Sequence, residues 1–179
     1  MAVFLPPDNA PGSTVALGFA RARRDGRIIA LRAQPGLIRA VARTTRAHIA
    51  RLGTWKGHRS GEFTLTPETY RDCVRNYEHQ INALKFDYEH ASLDHCPSGA
   101  PAAGWIQRVW DSGENLYATV DWTARAAAMI KADEYKFCSC VFVFDSTDRV
   151  TAEPIGCELV MVALTDSPFI DGLEPIVLD

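Results

Sequence analysis

Ser139 and His90 are the side chains whose types and surroundings could carry covalent chemistry. Ser139 stands inside Phe137-Cys138-Ser139-Cys140-Val141-Phe142-Val143-Phe144, a run that is otherwise apolar. A buried hydroxyl there must find a partner or cost roughly 1–3 kcal/mol. His90 ends Phe86-Asp87-Tyr88-Glu89-His90, on the alternation face of Phe86 and Tyr88, and opens into a polar loop. A serine is a weak nucleophile until a histidine within hydrogen-bond reach takes its proton. Read singly, each is a satisfied core residue: a small serine bonded to a backbone carbonyl and a histidine at a strand end. Spacing alone does not bring them together.

A Ser-His pair needs a third group to orient the imidazole. Glu158, in Gly156-Cys157-Glu158-Leu159-Val160-Met161, is an acid on an apolar strand, where a carboxylate wants a cationic or donor partner; its plainer reading is an edge-strand or solvent-facing residue. Asp87 is the alternative. It lies three residues before His90, which on a regular strand puts it on the opposite face. Asp94 and Asp166, on loops, are weaker candidates. A metal reading is also open: His90, His95 and Cys96 lie near one loop, and Cys138 and Cys140 form C-x-C. Zinc favours such ligands, but the paired C-x-x-C knuckles are absent. As nucleophiles, Cys138 and Cys140 would be blunted by apolar neighbours that raise a thiol pKa. The chain has no G-x-S-x-G, P-loop, H-E-x-x-H or G-x-G-x-x-G pattern.

These residues need elements to hold them. Thr66 can cap a helix and Pro67 suits its first turn. Tyr70, Cys73, Val74, Tyr77, Ile81 and Leu84 recur at helical spacing, predicting a helix from Pro67 to about Ala83. Leu84 to His90 alternates like a strand. Two more strands flank the turn Asp111-Ser112-Gly113-Glu114. Thr123 caps a second, alanine-rich helix from Ala124 to about Ala132. The apolar run from Tyr135 to Phe144 reads as a strand buried on both faces, and Cys157 to Leu164 as a final strand. Strands dominate and two helices pack on them, which predicts an α+β domain with a small closed or partly closed sheet.

Among 179 residues, 47% are hydrophobic and 23% charged, enough to bury a core, and the net charge of -3 gives no global pull toward nucleic acid or anionic membrane. Arginines crowd the first third, from Arg21 to Arg59. Residues 1–50 read as an Arg-rich, partly flexible arm, with a Pro- and Gly-rich lead-in over 1–14, and 51–179 as the chemical domain. Five cysteines, an odd number at low density, read as reduced thiols of a cytoplasmic protein. No apolar run reaches transmembrane length, and Pro6-Pro7 interrupts any signal-peptide core.

Five ordered blocks resemble the Mu-like prophage I protein family: GTWKGHRSGEFTLTPETY, FDYEHAS, APAAGWIQRVW, LYATVDWTARAAAMIKADEYKFCSCVFVFD and LVMVALTDSPFIDGL. They run from about Thr54 to Gly172, and the first 50 or so residues carry little of the signal. The family is similar to phage prohead proteases and herpesvirus assemblins. The resemblance implies a small, mostly antiparallel β-barrel-like sheet with flanking helices and a Ser-His pair, carried over by motif to Ser139 and His90. The third member varies across the wider group, histidine in some and an acid in others. Family members commonly have proline after the serine, where this chain has Cys140.

By the same resemblance the chain is a serine endopeptidase of capsid maturation. It would cleave scaffold and head proteins, and itself, in the bacterial host cytoplasm inside the assembling prohead. Implied partners are scaffold, portal and capsid proteins and copies of the chain, with no membrane, no nucleic acid except through the arm, and no cofactor. Full-length relatives continue into a polar, helical scaffolding segment that this sequence lacks, as a short protein, a fragment or a self-cleaved product would. The rival expectations are a non-catalytic head-assembly protein and a zinc module.

Overall fold

A computed structural model describes residues 23–24, 27–28, 44–80, 82–93 and 99–178. The chain divides into two compact units, residues 1–39 and 40–179. In the first, β1 (Arg23–Arg24) and β2 (Arg27–Ile28) pair antiparallel. The lead-in expected over 1–14, and most of the arm, lie outside the described residues.

The second unit starts with β3 (Thr44–Arg51), so the last residues of the expected arm, Thr44 to Ala50, are part of the main sheet. A small hairpin follows, β4 (Gly53–Trp55) and β5 (Phe63–Leu65). Thr66 then caps α1 (Pro67–Glu78) in a capping box: its hydroxyl accepts from the Thr69 N–H, and its own N–H donates to Thr69 Oγ1. The helix stops short of the expected Ala83. His79 caps it, with its N–H turned back to the Arg75 and Tyr77 carbonyls. Leu84, the last member of the apolar stripe, is buried ahead of the next strand instead of on the helix.

That strand is β6 (Lys85–Tyr88). After it come β7 (Gly104–Asp111), β8 (Asn115–Trp122), α2 (Ala124–Lys131), β9 (Phe137–Thr147) and β10 (Pro154–Thr165). The β7–β8 turn falls at Ser112-Gly113-Glu114, with the Gly113 N–H bonded to Asp111 Oδ1. Thr123 caps α2 through the Ala126 N–H, and the helix buries Ala126, Ala127 and Ile130. α1 holds onto β10 and β7: Asn76 donates to the Ile155 and Cys157 carbonyls, and the Tyr77 hydroxyl to that of Ile106. No helix among the described residues is long and apolar enough to cross a membrane.

The main sheet has six strands in the order β3-β8-β7-β6-β10-β9, antiparallel except for β6 beside β10. It is a curled, mostly antiparallel half-barrel within an α+β fold, as expected. The two edges, β3 and β9, approach without pairing their backbones. The Cys138 thiol donates to the His48 carbonyl at 3.1 Å and the Cys140 thiol to that of Ile49 at 3.1 Å. The C-terminal segment straps the same seam. Its Ile176 N–H donates to the Lys136 carbonyl just before β9, and its Val177 carbonyl accepts from the Thr45 hydroxyl on β3. Ile170, Leu173 and Ile176 are buried beneath it.

His48 ties strap to sheet through both ring nitrogens. Nδ1 accepts from the Glu174 N–H and Nε2 donates to the Ala50 carbonyl, which assigns the neutral Nε2–H tautomer. Burial lowers its pKa from 6.5, outweighing the upward pull of the Glu174 carboxylate. The folded protein therefore holds His48 neutral, while the unfolded chain takes up a proton below 6.5. This stabilisation is complete above that pH and is lost as pH falls through 6.5 and on through the lowered folded value. Thermal unfolding should accordingly show a Tm that declines on acidification from about pH 7.5 to about pH 5.5, less steeply in His48→Gln, which does not ionise. Equal slopes for the two proteins would remove His48 from this role.

Candidate active site

One cleft of about 380 Å³ brings Ser139 and His90 together. Its floor is the start of β9, its walls include Phe63, Phe144 and Phe169, and the β4–β5 hairpin closes one side with His58. The apolar run of β9 is thus not a strand buried on both faces. It is a sheet edge facing an open cleft, with Val143 and Phe144 exposed by 42% and 38%.

His90 does not sit on β6. That strand ends at Tyr88, and Glu89 and His90 both take left-handed backbone conformations, φ 52° and 57°. For residues other than glycine this costs about 1–2 kcal/mol each. Local bonds hold the turn in place. The Glu89 N–H extends the pairing to the Leu164 carbonyl, Thr165 Oγ1 donates to Glu89 Oε2 at 2.8 Å, and the Ala91 and Leu93 N–H groups reach back to Tyr88 and His90. Asp87 adds a fifth tie: its Oδ2 accepts from the Ser92 N–H at 2.8 Å. The alternation that set Asp87 opposite His90 therefore fails, because the regular strand has ended before the histidine.

Asp87 is fully buried, and its Oδ1 has no hydrogen-bond partner among the described residues. Such an oxygen costs free energy unless a donor arrives. Register aligns it with the serine: Asp87 pairs with Ala163 on β10, and Ala163 pairs with Ser139 on β9. The three lie in one row on one face, with Asp87 and Ser139 two strand spacings apart, about 10 Å between Cα atoms. Just past Ser139, at Val141 and Phe142, the β9–β10 register shifts between Leu159 and Met161, an irregularity that leaves Val160 of β10 as the extra residue.

The flanking cysteines turn to the other side, into the seam. Burial pushes the Cys138 thiol up to about 12 and raises that of Cys140 well above its ordinary value. Both stay protonated donors rather than nucleophiles or metal ligands. Among the described residues no three His, Cys, Asp or Glu side chains gather as a metal site; His95, Cys96 and Asp94 lie outside those residues.

Glu158 is elsewhere. It lies five residues before Ala163 on β10, about 16 Å along the strand. There it accepts from the Ser146 hydroxyl at 2.6 Å and faces Arg149 at 3.7 Å, in a separate polar cleft with Arg75 and His79. That placement separates Glu158 from His90, and it is the β9–β10 hairpin that satisfies the acid. Asp166 is exposed and accepts from the Lys136 N–H. The sequence does not mark His58, Phe63 or Phe169 as site residues. Their only sequence signal is aromatic and histidine content near turns, which is common.

The family model of the Mu-like prophage I protein, N-terminal domain, matches residues 47–177. Protease I of Escherichia phage Mu is 32% identical over 97 residues, which is 50% of this chain and 26% of that protein. The Mu-like prophage FluMu I protein of Haemophilus influenzae is 33% identical over 107 residues, 53% of this chain and 28% of that protein. The matched stretch thus spans about a quarter of either relative's length. No solved structure matches. With its matching residues spanning β3 to the C-terminal strap, the chain belongs to the Mu-like prophage I protein family.

Proposed function

We propose that this domain is a phage serine endopeptidase of head maturation, with Ser139 as nucleophile and His90 as general base. The observation that carries the reading is the single cleft lined by both residues, in a chain related to a phage Mu protein named Protease I. His90 takes the proton of Ser139 Oγ as the oxygen attacks a peptide carbonyl carbon. The C–N bond breaks, the imidazolium returns the proton to the leaving amine, and a serine ester remains. Water, deprotonated by the same imidazole, then hydrolyses the ester. Hydrogen bonds between such pairs commonly tighten with substrate in place.

Asp87 is the orienting carboxylate in this reading. Oδ2 fixes the turn that carries His90, and the open, buried Oδ1 is the acceptor for an imidazole N–H. The substrates are scaffold, portal and capsid proteins and the chain itself, inside the prohead in the host cytoplasm.

Ser139→Ala and His90→Ala should each lower cleavage of co-expressed scaffold by at least about 10³-fold, and the double variant should fall little further, as members of one catalytic unit do. Wild-type protein should also be labelled by a fluorophosphonate at Ser139. Undiminished cleavage by Ser139→Ala would eliminate this serine. Asp87→Asn keeps an acceptor for the Ser92 N–H but loses the charge. The expected result is a kcat lowered about 10- to 10³-fold with KM within about threefold of wild type. A change confined to Tm would make Asp87 purely structural.

A further inference from the structure

The apolar wall beside Ser139 is a cluster of rings. Phe63 on β5 lies 6.0 Å from Phe144 on β9 and 6.0 Å from Phe169, which follows β10. His58 packs edge-on against Phe169 at 4.8 Å and against Phe63 at 5.8 Å. Phe144 and Phe169 nevertheless remain 38% and 37% exposed, and Leu93, in the loop after His90, 47%. Three separate segments bring large apolar groups to one place and leave them in water. In a soluble domain such a gathering marks a surface that something covers.

Two features define what covers it. The wall is continuous with the cleft that holds Ser139 and His90, and about 380 Å³ admits a few side chains, not a folded partner. β9 is also the last strand of its sheet, and its outer edge carries no strand among the described residues. Past the two thiol contacts, the backbone from Phe142 onward can pair with an added chain, and an edge flanked by side-chain pockets suits an extended peptide. The charged groups lining the cleft, Arg59 and Glu62, both lie on the hairpin, and Glu62 is paired with Lys56 at 3.4 Å.

We propose that Phe63, Phe144 and Phe169 form a subsite for a large apolar side chain of an extended polypeptide substrate, docked along the open edge of β9. The proposal rests on the peptidase reading and adds its side-chain selectivity. Burying one such side chain against the rings sets the scale at about tenfold or more in affinity over alanine.

The test separates binding from chemistry. Full-length Ser139→Ala protein is titrated by fluorescence anisotropy with labelled extended peptides that differ at one central residue: Phe, Leu, Ala, Asp or Lys. In parallel, the protein with Ser139 intact is treated with a fluorophosphonate and with the same peptides. The expected result is Phe and Leu peptides binding at least about tenfold tighter than the others, with that margin lost when Phe144→Ala or Phe169→Ala is added. Both rings are partly exposed, so the variants should fold, and circular dichroism checks this. Equal affinities, or a preference for a charged residue, would overturn the subsite. So would a margin that survives both ring substitutions in folded protein. Labelling of Ser139 without side-chain preference sinks the subsite alone, whereas preference without labelling or cleavage sinks the peptidase reading and leaves a peptide-docking groove.

Discussion

The cleft depends on how one curled sheet manages its two edges. β3 and β9 come within reach of each other but exchange no backbone ladder. Two thiol-to-carbonyl contacts and the C-terminal strap hold the seam instead. A thiol is a weak donor, so the closure is softer than a row of N–H bonds. Burial keeps both thiols protonated, the only state in which they can donate. Cys140 is therefore part of the closure of the half-barrel.

The two candidate catalytic side chains sit on opposite sides of this compromise. Ser139 rides on the edge strand, and its neighbours on either side in sequence are the two seam thiols. His90 is carried by a turn from β6, an interior strand paired with β7 and β10. The turn is strained at two consecutive residues and is over-determined by bonds from Asp87, Thr165 and Leu164. Strain of that kind persists where surrounding structure pays for a particular side-chain direction. A buried carboxylate with one open oxygen, in the serine's own row, is the second unrelieved cost in the same few residues.

Local features were readable in the amino-acid order, and long-range ones were not. Thr66-Pro67, Asp111 to Glu114 and Thr123 mark caps and a hairpin through bonds that span two or three residues, and each is found as expected. The α+β class with a closed or partly closed sheet followed from strands dominating over two packed helices. Ser139 and His90 came from blocks resembling a family, and only the fold set them in one cleft. The facing of Asp87 relative to His90 was not legible because strand alternation extends only to Tyr88, two residues short of His90, and the turn's left-handed residues lack the usual glycine. Glu158 looked like an unsatisfied acid because its donor, Ser146, is reached only once the β9–β10 hairpin forms. The apolar run of β9 suggested full burial because composition does not distinguish a core from a greasy cleft.

The Cys-Ser-Cys arrangement also bears on how chemical probes should be read. Alkylating reagents attack the thiolate, and here both flanking sulfurs are protonated and turned into the seam. Cys138 is buried, so a maleimide or iodoacetamide molecule reaches it only after the two sheet edges have parted, whereas Cys140 is part-exposed and is slowed by its protonation alone. Inactivation by such a reagent would then report opening of the half-barrel at Cys138 or loss of the seam contact at Cys140. It would not identify a cysteine as the nucleophile, although the nucleophile candidate sits between two of them.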